Sequence, residues 1–299
     1  MKEYFVWLMK FITVIIVFFV VVPILILSVL MASSKTINTE NIIPQEKNLV
    51  AVIDVNGIIM DSKDVVEKLY KFSSDEKFKG IILKVNSPGG AVAPSQDIYN
   101  TILKLKSKKP IYAVMDSMAA SGGYYVSAPC TKIYAQKGTM TASIGVISQF
   151  VNFKNLSEWF GLKIETVKSG KLKDFGSPYR DMTDEERGYW QNMSNTIHED
   201  FIQDVAKARN IDVNKLREVA DGRVLIGTKA KEANLIDEIG GINDASVAMF
   251  KELNIKLGEN EMPKLYYTEN KLKEFKKLLN QSLSFFSRSQ QGVRLMYLN

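Results

Sequence analysis

Residues 110–128 read Pro110-Ile-Tyr-Ala-Val-Met115-Asp-Ser117-Met-Ala-Ala-Ser121-Gly-Gly-Tyr-Tyr125-Val-Ser-Ala128. The first six form an apolar run of strand length. A turn crowded with small residues follows, and Tyr124, Tyr125, Val126 and Ala128 continue as a helix. A strand feeding a helix through a tight turn is the repeating unit of an α/β fold. It sets Ser121 and the Gly122 N–H at a helix N-terminus, where free N–H groups and the helix dipole stabilise negative charge. Ser121 could simply cap the helix. Two glycines in a first helical turn, however, cost about 1 kcal/mol each relative to alanine. Close approach of a reacting carbonyl to a backbone N–H donor is a reason for them that capping does not supply.

The same alternation extends outward on both sides. Leu49–Val55, Gly80–Val85, Lys132–Ala135 and Lys163–Val167 read as further strands, with helices at Ser62–Lys71 and Ser95–Lys106. Strands separated by helices predict a mostly parallel sheet with helices on its faces. Thr183-Asp-Glu-Glu186 is a capping-box pattern opening a helix to Arg209, along which Trp190, Met193, Ile197, Phe201 and Val205 recur every three or four residues. A helix at Asn214–Ala220, a strand at Arg223–Leu225 and a helix from Thr228 follow. Ligands of open α/β sheets gather at the carboxyl ends of strands. Besides the Ser121 turn, Asn86-Ser-Pro-Gly-Gly90 lies at such an end, where paired glycines let backbone N–H groups face an oxyanion.

Composition narrows the chemistry. One histidine, His198, and one cysteine, Cys130, exclude a multi-histidine zinc site, a thiolate metal cage and an intrachain disulfide. No metal or cofactor is expected. A serine nucleophile would need a base other than His198, which lies one step off the apolar stripe of its helix. Lysine is the residual type. Acting near pH 7 requires about 4.6 kcal/mol of differential destabilisation of the ammonium, typically through desolvation. Spacing and context leave Lys84, Lys168, Lys171 and Lys173 open. The net charge, 39 basic against 33 acidic residues or +6, includes no phosphate-binding block: the run Lys271–Lys277 is interrupted by Leu272 and Phe275, so no nucleic-acid partner is expected.

Phe11–Ala32 is a run of 22 uncharged, mostly apolar residues, about 33 Å as a helix. It exceeds the usual apolar core of a cleaved signal peptide, so one N-terminal transmembrane helix is expected. Lys2 and Lys10 precede it, which puts the N-terminus in the cytoplasm and the rest of the chain outside. The expected organisation is a cytoplasmic tip and anchor over 1–32, a tether over 33–48, a catalytic domain over 49–260, and an amphipathic helix and tail over 261–299. In that last segment Leu272, Phe275, Leu279, Leu283 and Phe286 form a helical stripe. It reads as a packing helix, with a membrane-surface helix or an apolar tail lying in a neighbour's substrate groove as the other readings.

Taken together, these motifs resemble the signal peptide peptidase A family, serine proteases related to the Clp protease and crotonase fold. The likeness rests on Asn86–Gly90, Met118–Tyr125, Thr141–Val146, Ser169-Gly-Lys-Leu-Lys-Asp174, Ser177-Pro-Tyr-Arg180, Asp221–Val224 and Leu235–Gly241. The resemblance implies Ser121 as nucleophile, Lys173 as general base, and Gly90 and Gly122 as oxyanion donors, with Gly89 shaping the turn. It implies a membrane-anchored endopeptidase of the bacterial inner membrane that degrades cleaved signal peptides and other apolar peptides. It also implies an octameric ring in which serine and lysine meet across a subunit boundary. The family often has glycine where this chain has Ala142 and Asn234. The alternative readings are a crotonase-like acyl-CoA enzyme and a non-catalytic membrane scaffold.

Overall fold

The computed structural model describes residues 2–22, 47–259, 261–267 and 296–297. It divides into two units, Met1–Gln45 and Glu46–Asn299. In the first, α1 (Lys2–Ile16) passes into a π-helical turn, Val17–Val21. The 15 residues of α1 rise about 22 Å, short of the roughly 30 Å of a hydrocarbon core, and they include Glu3 and Lys10. Among the described residues no helix is long and apolar enough to cross a membrane. This overturns the expected transmembrane helix. The bilayer partner, the single-pass topology, the inner-membrane localisation and the membrane anchoring of the enzyme fall with it. Residues 23–32 of the expected span lie outside the described residues.

The second unit runs β1 (Leu49–Asn56), α2 (Lys63–Ser74), β2 (Phe78–Ser87), β3 (Gly90–Ala91), α3 (Val92–Leu105), β4 (Ile111–Ala120), α4 (Gly122–Ser127), β5 (Lys132–Ala135) and β6 (Met140–Ala142). It continues through α5 (Lys154–Trp159), α6 (Asp184–Arg209), α7 (Val213–Arg217), β7 (Val224–Ile226), α8 (Gly227–Glu232), β8 (Glu238–Ile239), α9 (Ile242–Glu252), β9 (Leu265–Tyr267) and β10 (Met296–Tyr297). One sheet has the order β7-β6-β4-β2-β1-β9, with β5 also on β4 and β8 on β5. Every pairing in it is parallel except β6 with β7. The fold is therefore the expected α/β sheet with flanking helices.

β1 and β2 are buried almost throughout, as strands covered on both faces must be, and so read as near-continuous apolar runs. On one face Val50, Val52, Ile82, Tyr112 and Val114 pack with Ala245, Met249 and Phe250 of α9. Their alternation along each strand follows the period of two. The strand that positions the site is β4. Its first half pairs with β5 through Tyr112–Met115 and its last residues pair with β6 through Met118–Ala120. Against β2 its register slips between Met115 and Ala119. The extra residues include exposed Asp116 and Ser117, and the slip lets one strand serve two neighbours and deliver Ser121 beyond both.

Lys163–Val167, expected as a strand, is exposed and has no strand assignment. Its alternation of apolar and polar residues is real, but among the described residues no neighbouring strand accepts its backbone, and an unpaired segment gains no ladder. The apolar stripe Leu272–Phe286 lies outside the described residues. Nearby in sequence, β10 pairs antiparallel with β3, Met296 opposite Ala91 and Tyr297 opposite Gly90.

Candidate active site

Three chain ends converge on Ser121. β4 brings it in, α4 leaves from it, and the end of β6 lies alongside, where Ser121 N donates to Ala142 O at 2.8 Å. Ser121 is 1% exposed and sits at φ 53°, ψ −120°, a backbone region that side chains rarely occupy. It does not cap α4 with its side chain. Its Oγ is buried without a hydrogen-bond partner among the described residues. A buried hydroxyl left unpaired costs about 1–3 kcal/mol, so this residue carries both backbone strain and an unmet polar atom.

The glycines expected to act with it are its neighbours. A Cβ on Gly122 would lie 3.1 Å from Gly90 N, 3.2 Å from Gly89 Cα and 2.8 Å from Ser95 Oγ. The two glycine-bearing turns thus approach each other backbone to backbone, which side chains would forbid. Gly89 has φ 112°. Its N–H donates to Ser87 Oγ at 3.1 Å, and Ser87 Oγ donates to Gly57 O at 2.6 Å. Ile59 N donates to Gly89 O at 2.9 Å and Ala91 N to Ile59 O at 2.7 Å, which ties the turn to the chain leaving β1. A Cβ on Gly90 would meet Ile59 O at 2.0 Å, and one on Gly123 would meet Ser87 O at 2.6 Å.

Helix α4 is held from beneath. Tyr124 donates to Leu235 O at 2.9 Å, burial pushing its hydroxyl well above the usual range, and Tyr125 donates to Asp204 of α6. His198 Nε2 lies 3.0 Å from Ile144 O and 2.8 Å from Ala220 O. Facing two carbonyls, that nitrogen carries the proton, and it staples α6 to the segment behind Ser121. Next to it a cleft of about 240 Å³ is lined by Ser143, Gly145, Val146, Ile147, His198 and Asp221.

Both departures from the family's glycines fall on left-handed backbone. Ala142 has φ 64° and Asn234 has φ 58°. Asparagine tolerates this region; alanine at Ala142 is strained there, at the residue whose own carbonyl accepts from Ser121 N.

The lysines separate on their surroundings. Lys84 pairs with Asp116 at 3.3 Å, Lys168 with Asp174, and Lys171 with Glu185. Lys173 is exposed on a turn over 170–176, where its N–H donates to Gly170 O at 3.0 Å. The chain therefore gathers Ser121, Gly89, Gly90 and Gly122, and it leaves Lys173 on the surface without a hydrogen bond to Ser121. Sequence reading missed Ser87, Ser95 and the Ile59 backbone as builders of the site. Only the seryl residues carried any signal, lying within or just after the Asn86–Gly90 turn.

Two family models match the chain: Clp protease over residues 43–142, which ends just past Ser121, and peptidase family S49 over residues 103–256, which includes both Ser121 and Lys173. Among curated proteins, one from Methanocaldococcus jannaschii, named as a protease, is 38% identical over 62% of this chain and 60% of its own length. A protein of Enterococcus faecium named as the signal peptide peptidase SppA is 39% identical over 67% of this chain and 62% of its own. One from Synechocystis, named as a protease, is 36% identical over 66% of this chain and 71% of its own. The match thus spans about three fifths of the first two relatives' length. With a family model covering half the chain and the serine and glycine turns brought together inside it, this chain belongs to peptidase family S49.

Proposed function

We propose that the chain is a serine endopeptidase that cleaves extended, apolar peptide segments through a Ser121–Lys173 dyad, the lysine being supplied by a second copy. The observation that carries this reading is the Ser121 hydroxyl: buried, unpartnered, on strained backbone and flanked by two glycine turns. Strain and unmet polarity of this kind collect where chemistry is done. The choice of Lys173 is supported by the ion pairs, since Lys84, Lys168 and Lys171 are each already engaged by a carboxylate, whereas a base must be free to approach the serine hydroxyl. Lys173 has no such partner among the described residues.

A dyad between copies is favoured by the way one copy is tied together. Ser121's helix is bonded to Asp204, and Lys173's turn is bonded to Glu186 through Arg180, eighteen residues earlier on α6, about 27 Å along its axis. Docking of a neighbour would desolvate the exposed amine, which favours its neutral form. In that assembly Lys173 takes the Ser121 proton, the alkoxide attacks the peptide carbonyl, and the tetrahedral oxyanion is held by the Gly90 and Gly122 N–H groups. The ammonium protonates the departing amine. The acyl-enzyme is then hydrolysed by water that the same lysine deprotonates.

A fluorophosphonate probe tests the reading. Labelling is expected at Ser121, lost in Ser121→Ala, with peptide hydrolysis lost in Lys173→Ala while the oligomer persists. Hydrolysis that survives Lys173→Ala would overturn the dyad, and an unlabelled but peptidase-silent protein would favour a scaffold or a crotonase-like acyl-CoA enzyme.

A further inference from the structure

The turn that carries Lys173 has no regular secondary structure of its own, and its shape is set by the next residue. The Asp174 side chain is 11% exposed and accepts from Arg180 Nε at 2.8 Å and from Lys168 Nζ; its carbonyl accepts from Arg180 Nη2 at 3.2 Å. The other edge of the same guanidinium donates from Nη1 to Glu186 Oε2 at 2.8 Å and to Asp181 O at 3.0 Å. Glu186 is 3% exposed, and Thr183 N, at the head of α6, donates to its carboxylate at 2.9 Å. One planar fork thus locks the residue after Lys173 to the first turn of a 26-residue helix. On the far side of Asp174, Phe175 packs against Trp190 of that helix, the rings tilted by 47° with centroids 4.7 Å apart.

We infer that Arg180 is a positioning residue for the Lys173 amine, fixing its turn to α6 so that the amine is presented at one place to the serine of a neighbouring copy. The inference rests on the Ser–Lys reading above. The geometry requires arginine: two carboxylates and two carbonyls on opposite edges of one group cannot be served by a single ammonium. A small displacement of a reacting group suffices for a large loss, since about 1 Å of misplacement can cost on the order of 100-fold in rate.

The experiment uses the full chain, with peptide hydrolysis, oligomer size and thermal midpoint followed together. Arg180→Lys is one variant. Arg180→Gln combined with Glu186→Gln is the second, because it leaves no buried carboxylate unpaired. Both are expected to lose about 10- to 100-fold in kcat with KM within about twofold and the oligomer intact, and methylguanidinium is expected to restore part of the rate to Arg180→Ala. The inference is overturned if kcat in the two variants stays within about twofold while Lys173→Ala is inactive. It is equally overturned if the lost rate tracks lost assembly or melting and methylguanidinium restores nothing. Activity retained by Lys173→Ala would instead bring down the dyad itself, so the two failures are distinguishable.

Discussion

Ser121 concentrates two unfavourable features in one residue, a left-handed backbone and an unpaired buried hydroxyl. Removing the hydroxyl should therefore stabilise the protein while destroying its chemistry. Ser121→Ala is expected to gain about 1 kcal/mol, the lower end of what an unsatisfied buried polar atom costs, and to raise the thermal midpoint by about 2–4 °C. Its peptidase activity should vanish. A midpoint that falls would mean the hydroxyl has a partner that holds the turn together. Ala142, at φ 64° beside the Ser121 N–H contact, offers a second measurement. Ala142→Gly relieves a left-handed alanine and is expected to stabilise by about 1 kcal/mol, read as a shift in the denaturant midpoint at constant slope. The strain is legible in outline in the sequence. Paired glycines after the serine marked the turn, whereas the φ of Ser121 itself has no signature in its own identity.

At the level of elements, the capping box Thr183–Glu186 was readable, because the local pattern and the local bonding coincide: Glu186 N donates to Thr183 Oγ1 at 3.2 Å and Thr183 N to the Glu186 carboxylate. That box has a pH signature. Arg180 and the Thr183 N–H hold the Glu186 carboxyl down at about 2, against an ordinary value of 4.5. Because the folded value lies below the unfolded one, its contribution to stability is complete above about pH 4.5 and is lost as pH falls toward 2. Glu186→Gln is expected to lower stability at pH 7 by about 1.5–3 kcal/mol, the range for a hydrogen bond to a charged group, and to flatten the midpoint between pH 4.5 and 2. Parallel curves for variant and parent across that window would contradict it. Elements whose existence depends on a distant partner were not readable. Lys163–Val167 has the alternation of a strand and no strand neighbour among the described residues, while β6 has a neighbour on each side and only three residues. The apolar run Phe11–Ala32 was long enough on paper; the described helix there stops being α-helical at Val17.

Across the whole molecule, the contact that sequence order hides most completely is β10 on β3. It joins Met296–Tyr297, almost at the C-terminus, to Gly90–Ala91, the strand edge adjoining Gly122 and Ser121. An extended peptide bound by strand addition would need that same edge, since main-chain bonding to an exposed edge is how such sites take their ligands. On the endopeptidase reading proposed above, Met296–Tyr297 would compete with such a peptide for this edge. Among the described residues its grip is a two-residue ladder, worth about 1–3 kcal/mol for two hydrogen bonds at a net 0.5–1.5 kcal/mol each. Tethering still gives it an effective concentration that a dissolved peptide must match. Truncation after Gln291 is accordingly expected to lower KM for extended apolar peptides by about 3- to 10-fold with kcat unchanged, measured by steady-state kinetics on both forms at equal oligomer size. The effect should fade for ester substrates too short to add a strand, because those never use the β3 edge. An unchanged KM for long peptides would show that tail and substrate occupy different backbone, and would move the peptide-binding edge away from Gly90–Ala91.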